Sequence, residues 1–363
     1  MKLLIDARSL GQKPSGIGMY AYNFITSLRM YTPHEIALVT DVCESDEMCS
    51  LKERKIKIYE IGHVISKSVS LISYFRYIQR CIEEYKPDVF WEINNLFPIK
   101  IRNSYGKIIT TIHDVFPITQ PECFGKIYPL YFRYGVKNAI RYSDGIIYNS
   151  EDTRSETEKY FPNSMDKSSY VGYIIMPVLP KMQVERKDYF FYVGNLEKRK
   201  GTDLLLDAYE EYLKQGGTRV LVLAGKVRED DIRQKLDNMI EKYDKIKYLG
   251  YLSDEEKVRR YSECGCFLFL SRAEGFGMPV IEAIQCGAPV IASDLPVFHE
   301  LVGESIQYCD VHDKKNMISC MMNIKEPIHE EYIRVIDKFN CKTLVCSLDG
   351  FLNDILHVTK GKL

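Results

Sequence analysis

Ser271–Asp294 reads SRAEGFGMPVIEAIQCGAPVIASD. Two acids, Glu274 and Glu282, stand with seven residues between them, around a Gly-Phe-Gly turn. An apolar run, CFLFLS, precedes the first acid, and a second, APVIASD, closes the segment. Strand, glycine turn, helix and strand in that order describe one crossover of a parallel sheet. Pro279 suits the first turn of the helix. Gly275 and Gly277 let backbone approach a ligand, and the amides around Phe276 to Pro279 form a helix N-terminus that favours anions, phosphate above all. A carboxylate on either side accepts hydrogen bonds from vicinal hydroxyls, as on a ribose or hexose. An acid complementing the helix dipole would explain Glu282 alone and leaves the two glycines without a purpose.

The same alternation extends along the chain. Strands are expected at KLLIDA, EIALVT, IKIYEI, DVFWEI, KIITTIHD, DGIIYNS, YFFYVG, RVLVLAG and IKYLGY, besides the two above. Helical periodicity covers 18–30, 70–84, 128–141, 151–160, 201–215, 229–243, 254–263 and 279–285. At 363 residues the chain is too long for one core. The pattern weakens between Pro162 and Asp188, where proline and charge concentrate, so the linker is placed there. The expected domains are 1–180 and 181–342, with a terminal helix over about 343–363 packing back on the first. The fold class is α/β, with two Rossmann-like parallel-sheet domains facing a central cleft at the carboxyl ends of their strands.

Composition narrows the function. The formal net charge of −1 gives no general pull toward nucleic acid or anionic lipid. No apolar run reaches membrane-spanning length, and MKLLIDARSL is interrupted too early for a secretory signal. Eleven cysteines without a C-x-x-C pair read as buried reduced thiols of a cytosolic protein.

Further candidates fall just after strands. In YVGNLEKRKGTDLLLDAY, Arg199 and Lys200 lie in a strand-to-helix loop, where a guanidinium fork and a compact ammonium match a diphosphate leaving group. Asn195 opens that loop. PSGIGMYAYNFITSL places Gly16 and Gly18 before a helix, as a tight turn or as backbone meeting a ligand. TIHDVFP puts His113 at a strand end, where imidazole could meet a sugar hydroxyl or be a core group satisfied by backbone. No D-x-D triplet occurs, so no metal and no cofactor is called for; the cationic loop would do that work. SKSVSLISYFRYIQR and GKIYPLYFRYGVKNAIRY mix basic and aromatic residues. They fit an anionic lipid surface, or, as is favoured, long side chains lying over a core.

Together these residues resemble the retaining nucleotide-sugar glycosyltransferases of family 4, with the fold called GT-B. EGFGMPVIEAIQCGAPVIASD looks like the family's E-x7-E signature, and VGNLEKRKGTDLLLDAY, TIHDVFP, SDGIIYNSEDTRSE, SGIGMYAYN and FNCKTL support the likeness. Within the family the layout is most similar to bacterial mannosyl- and rhamnosyltransferases of surface polysaccharides. The resemblance implies that Glu274 faces the donor sugar and Glu282 binds the ribose. Gly275 and the amides of Phe276, Gly277 and Met278 meet sugar and phosphate, Arg199 and Lys200 hold the diphosphate, and Gly16 or Gly18 approaches it. It puts His113 near sugar and acceptor, and Tyr251 and Leu252 at the base. It further implies front-face retention without metal, a nucleotide diphosphate sugar as donor, a glycan or lipid-linked glycan as acceptor, and a cytoplasmic place at the inner face of the membrane. Asn195 stands where many members carry arginine, Met19 likewise, and His299 has no assigned role. A sugar-nucleotide 2-epimerase or a non-catalytic sugar-nucleotide binder are the competing classes.

Overall fold

The computed structural model describes residues 1–14, 16–65, 68–180, 182 and 184–357, with only the backbone of 68 and 69. Ser15, the first two residues of SKSVSLISYFRYIQR and 358–363 of the expected terminal helix lie outside the described residues. The chain divides into two compact units, 1–175 with 339–363, and 176–338.

Unit 1 holds strands β1 (Lys2–Asp6), β2 (Glu35–Thr40), β3 (Lys57–Glu60), β4 (Val89–Glu92), β5 (Lys107–Ile112), β6 (Gly145–Tyr148) and β7 (Ser168–Val171). Its helices are α1 (Gly16–Tyr31), α2 (Asp46–Glu53), α3 (Ser68–Tyr85), α4 (Phe116–Thr119), α5 (Tyr128–Tyr142) and α6 (Glu151–Tyr160). The sheet order is β3-β2-β1-β4-β5-β6-β7, every pairing parallel. Strands β4, β5 and β6 are buried at every position, as a sheet covered on both faces requires. On α3, Leu71, Tyr74, Phe75, Ile78, Ile82 and Tyr85 enter the core, while Arg76 and Arg80 stay outside.

Unit 2 holds β8 (Lys187–Val193), β9 (Val220–Ala224), β10 (Ile246–Tyr248), β11 (Cys264–Phe269), β12 (Val290–Ser293) and β13 (Gln307–Cys309). Its helices are α7 (Thr202–Lys214), α8 (Asp230–Lys242), α9 (Asp254–Glu263), α10 (Met278–Gln285), α11 (Pro296–Val302), α12 (Lys314–Met322) and α13 (His329–Lys338). The order β10-β9-β8-β11-β12-β13 is again wholly parallel. Consecutive strands run outward from β8 and then resume on its other side at β11. This reversal opens a crevice beyond the carboxyl ends of those two strands.

A final helix, α14 (Cys341–His357), packs on α1 and β7 of unit 1. Gly145 makes room for it: a Cβ there would stand 2.3 Å from Ile355 Cδ1. Phe351 stacks on Tyr170 with centroids 5.4 Å apart, and His34 Nε2 lies 2.6 Å from Asp349.

Two of the four edge strands, β7 and β13, are not among the eleven expected. β7 falls inside the stretch read as linker. Each has only one neighbouring strand, is short, and lacks the apolar run that marks a central strand. All eleven cysteines are free, and Cys49, Cys123 and Cys346 are exposed rather than buried. Among the described residues no helix is long and apolar enough to cross a membrane.

Candidate functional site

The loops leaving β8 and β11 meet at the reversal of the unit 2 sheet. The β8–α7 loop, 194–201, is drawn onto the end of β11. Gly201 sits at φ +65°, and a Cβ on it would lie 1.7 Å from the Leu270 carbonyl oxygen, so only glycine allows this approach. Arg272 stitches the loops together. Its guanidinium donates to both carboxylate oxygens of Asp203 at 2.6 and 2.8 Å and to the Lys198 carbonyl, while its backbone N–H donates to the Arg199 carbonyl at 2.9 Å.

Within this frame Lys200 Nζ donates to both oxygens of Glu274 at 2.7 Å. Ser271 Oγ donates to Glu274 at 2.6 Å, and the Glu274 side chain is buried. Lys200 also lies over the Phe269 ring at 5.5 Å. Arg199 turns aside to Glu197, 2.8 Å away. Of the two candidate cations in this loop, Lys200 is joined to the first acid and Arg199 to Glu197.

Gly277 caps α10 in the left-handed region at φ +84°, where a Cβ would meet Phe298 Cε1 at 2.4 Å. Pro279 lies in the helix's first turn and Phe276 is buried. The Val280 N–H donates to the Gly277 carbonyl at 3.0 Å, and Pro279 has no N–H to donate; helix N-termini in general favour anions. One turn on, Glu282 accepts from Tyr261 Oη at 2.8 Å and from Lys257 Nζ at 3.2 Å. Burial opposes the charge on Lys257, but Glu282 and Asp254 outweigh it and raise its pKa. Burial, then Glu282, drives the Tyr261 phenol well above its usual range, so it is a donor to the acid at any working pH.

The remaining candidates sit at other points. Asn195 Oδ1 accepts from Arg228 Nε at 3.3 Å, bringing a second guanidinium to the end of β8 from the loop after β9. Tyr251, beyond β10, is 89% exposed, with Leu252 beside it partly covered. In unit 1, Gly16 begins α1, and a Cβ on Gly18 would lie 2.5 Å from the Ser9 carbonyl oxygen. Gly18 thus serves a close approach of backbone to backbone. His113 is buried at the end of β5; its Nε2–H donates to the Ile93 carbonyl at 2.8 Å, and its ring packs edge-on to Tyr20 at 4.7 Å. Burial lowers its pKa to about 4, so it is neutral, with Nδ1 the nitrogen left able to accept. His299 Nε2 lies 2.6 Å from Asp294, and the ring stacks on Tyr308 at 3.9 Å. Among the described residues no group of three His, Cys, Asp or Glu side chains could hold a metal ion.

Sequence reasoning missed Lys257, Tyr261, Ser271 and Arg272. Lys257 and Tyr261 are four apart on α9 and so share a face, but nothing in the sequence says that this face meets Glu282.

Comparison with known proteins gives the family and the fold. The family described as Glycosyltransferase Family 4 matches residues 14–171, and that described as Glycosyl transferases group 1 matches 180–318. The chain is similar to O-antigen chain mannosyltransferase B of Escherichia coli, 26% identical over 86% of this chain and 87% of that protein. O-antigen chain mannosyltransferase RfbU of Salmonella typhimurium is 24% identical over 89% and 91%. Among solved structures, Anabaena Alr3699/HepE in complex with UDP and glucose superposes with a TM-score of 0.76 at 18% identity, covering 98% of this chain and 100% of that one. The lipopolysaccharide outer core galactosyltransferase WaaB gives 0.69 at 16%, over 98% and 99%. Both structural likenesses are of fold, the fold called GT-B.

Proposed function

The chain is a family 4 glycosyltransferase, and on that premise we propose that it moves a hexose, mannose before rhamnose, from a nucleotide diphosphate sugar to a glycan acceptor in surface polysaccharide synthesis. GDP-mannose is the donor we infer, and a lipid-linked glycan the acceptor. The observation that carries this reading is the joined pair Lys200–Glu274 beside the N-terminus of α10, at the reversal of the unit 2 sheet.

In this reading the amides of Phe276, Gly277 and Met278 take the diphosphate, and Lys200, with Arg199 behind it, neutralises the charge that grows on the leaving group. Glu274 accepts from the donor sugar's hydroxyls, and Glu282, fixed by Tyr261 and Lys257, accepts from the ribose. Tyr251 and Leu252 border the base. His113, neutral, offers Nδ1 to a sugar hydroxyl, and backbone at Gly16 or Gly18 approaches the phosphates. Transfer proceeds with retention: the acceptor oxygen attacks on the face the diphosphate leaves, and the departing phosphate oxygen takes the acceptor's proton. Fixed cations and peptide amides replace a divalent metal.

We further infer work at the cytoplasmic face of a membrane. Ile127, Leu130 and Tyr134 are exposed on and before α5 beside Lys126, Arg133 and Lys137, a composition suited to anionic lipid.

The test is incubation of pure protein with GDP-mannose and other nucleotide sugars, with and without lipid-linked acceptor. Release of nucleoside diphosphate that acceptor accelerates, with one anomer in product, is the expected result. Formation of an epimer, or binding without turnover, would defeat it.

A further inference from the structure

Three consecutive cations stand in the loop after β8, and each is met by an acid. Lys198 pairs with Asp231, Arg199 with Glu197 at 2.8 Å, and Lys200 with Glu274 at 2.7 Å. The loop therefore brings little net positive charge to the crevice. Arg228, in the loop after β9, differs. Its Nε donates to a neutral amide, Asn195 Oδ1, at 3.3 Å, and among the described residues its guanidinium makes no ion pair. The side chain is exposed, so both Nη groups stay open to a ligand.

The sheet itself holds the backbone that carries it. Pairing of β8 with β9 runs on past the strand ends. Gly194 N–H donates to the Ala224 carbonyl at 3.1 Å, Leu196 N–H to that of Lys226 at 2.9 Å, and Arg228 N–H to that of Leu196 at 3.0 Å. Leu196 and Val227 form a parallel bridge. Gly225, at φ +120°, permits this approach, since a Cβ there would stand 1.9 Å from the Gly194 carbonyl oxygen. Asn195 is fixed in its turn, its carbonyl accepting from Tyr192 Oη at 2.9 Å. Lys226, the other cation of the β9 loop, is exposed, and its side chain makes no bond among the described residues, so nothing aims it.

The aim of Arg228 says which part of a nucleotide it meets. The strands run in the order β10-β9-β8-β11. Neighbouring strands lie about 4.8 Å apart, so the end of β9 stands about 10 Å from the end of β11. The bond to Asn195 turns Arg228 across β8 toward β11, and away from β10 and Tyr251. A guanidinium with two open Nη groups matches the paired oxygens of a phosphate. Held in place beforehand, it gives up little freedom on binding.

We propose that Arg228 binds the diphosphate of the nucleotide, and that Asn195 is the residue that positions it. The inference rests on the transferase reading above. It adds to that site a cation from a second loop, one whose charge no acid cancels.

The experiment titrates the full chain with GDP, UDP, guanosine and uridine. It compares wild type with Arg228→Ala, Arg228→Lys, Asn195→Ala and Lys226→Ala. The diphosphate that wild type prefers should bind at least tenfold more weakly to Arg228→Ala, the loss of a charge-assisted hydrogen-bonding group. A smaller loss is expected in Arg228→Lys and Asn195→Ala, which keep the charge and lose the fork or its anchor. The matching nucleoside carries no phosphate and should bind every variant within twofold of wild type. Lys226→Ala removes a charge from the same loop and should keep its diphosphate affinity within threefold. Urea midpoints should match wild type throughout. A loss below tenfold in Arg228→Ala, an equal loss for the nucleoside, or an equal loss in Lys226→Ala would each overturn the assignment. Wild-type affinity in Asn195→Ala would overturn the positioning role. A wild type that bound neither GDP nor UDP would sink the donor-site reading itself, whereas diphosphate binding indifferent to Arg228 would sink this inference alone.

Discussion

Replacing Lys200 by methionine removes an ammonium that sits 2.7 Å from both oxygens of a nearly buried carboxylate. Glu274 would keep Ser271 Oγ as its one partner among the bonds described. Breaking a buried pair by deleting one member costs about 3–5 kcal/mol. Because the Lys200 side chain is 17% exposed and that of Glu274 5%, water enters from the lysine side, and about 3 kcal/mol is expected. Lys200→Met/Glu274→Gln removes both charges and should recover most of that loss, since the cost lies in the stranded acid. Activity behaves otherwise. Loss of one preorganised charge at a leaving group costs about 10²–10³ in kcat, and the double variant cannot regain it. Urea denaturation and donor turnover on the same samples separate the two effects. Turnover restored alongside stability in the double variant would refute the reasoning, because the pair would then be a structural tie only.

Gly201→Ala should destabilise by about 1–3 kcal/mol through its left-handed backbone, and its Cβ, 1.7 Å from the Leu270 oxygen, must push the loop away from β11. A displacement of about 1 Å at Lys200 should cut kcat about 10²-fold with the fold retained, checked by thermal melt and turnover. Tyr261→Phe removes a charge-assisted hydrogen bond to Glu282, so donor KM should rise about tenfold with kcat little changed. Equal kcat and KM to wild type would exclude Glu282 from donor binding. His113, lowered to about 4 by burial, must lose its proton to fold. The unfolded chain binds that proton below about pH 6.5 and the folded one does not, so stability is full above 6.5 and falls by about 3 kcal/mol on acidification to 4. His113→Gln should flatten that slope in denaturation curves between those pH values.

Much of this was legible in the chain because parallel-sheet strands buried on both faces are written as unbroken apolar runs. KIITTI, GIIY and CFLF could hardly be anything else. The sequence reads Gly275 and Gly277 as letting backbone approach a ligand; what the structure adds is that a Cβ on Gly277 would meet Phe298 Cε1 at 2.4 Å, a packing constraint within the protein. The partners of the acids were not legible. Lys257 and Tyr261 belong to a polar helix whose pattern looks like an ordinary solvated face, and the orientation that brings them to Glu282 is set by the packing of α9 against α10. The edge strands β7 and β13 were too short and too polar to stand out.

Hydrogen exchange of the full chain with and without saturating GDP tests the central assignment most directly. Slowed exchange is predicted in the loop 194–202 and across 274–282, with little change in the sheet of unit 1. Protection confined to unit 1, or none in either loop while GDP is bound, would contradict a nucleotide site at the ends of β8 and β11.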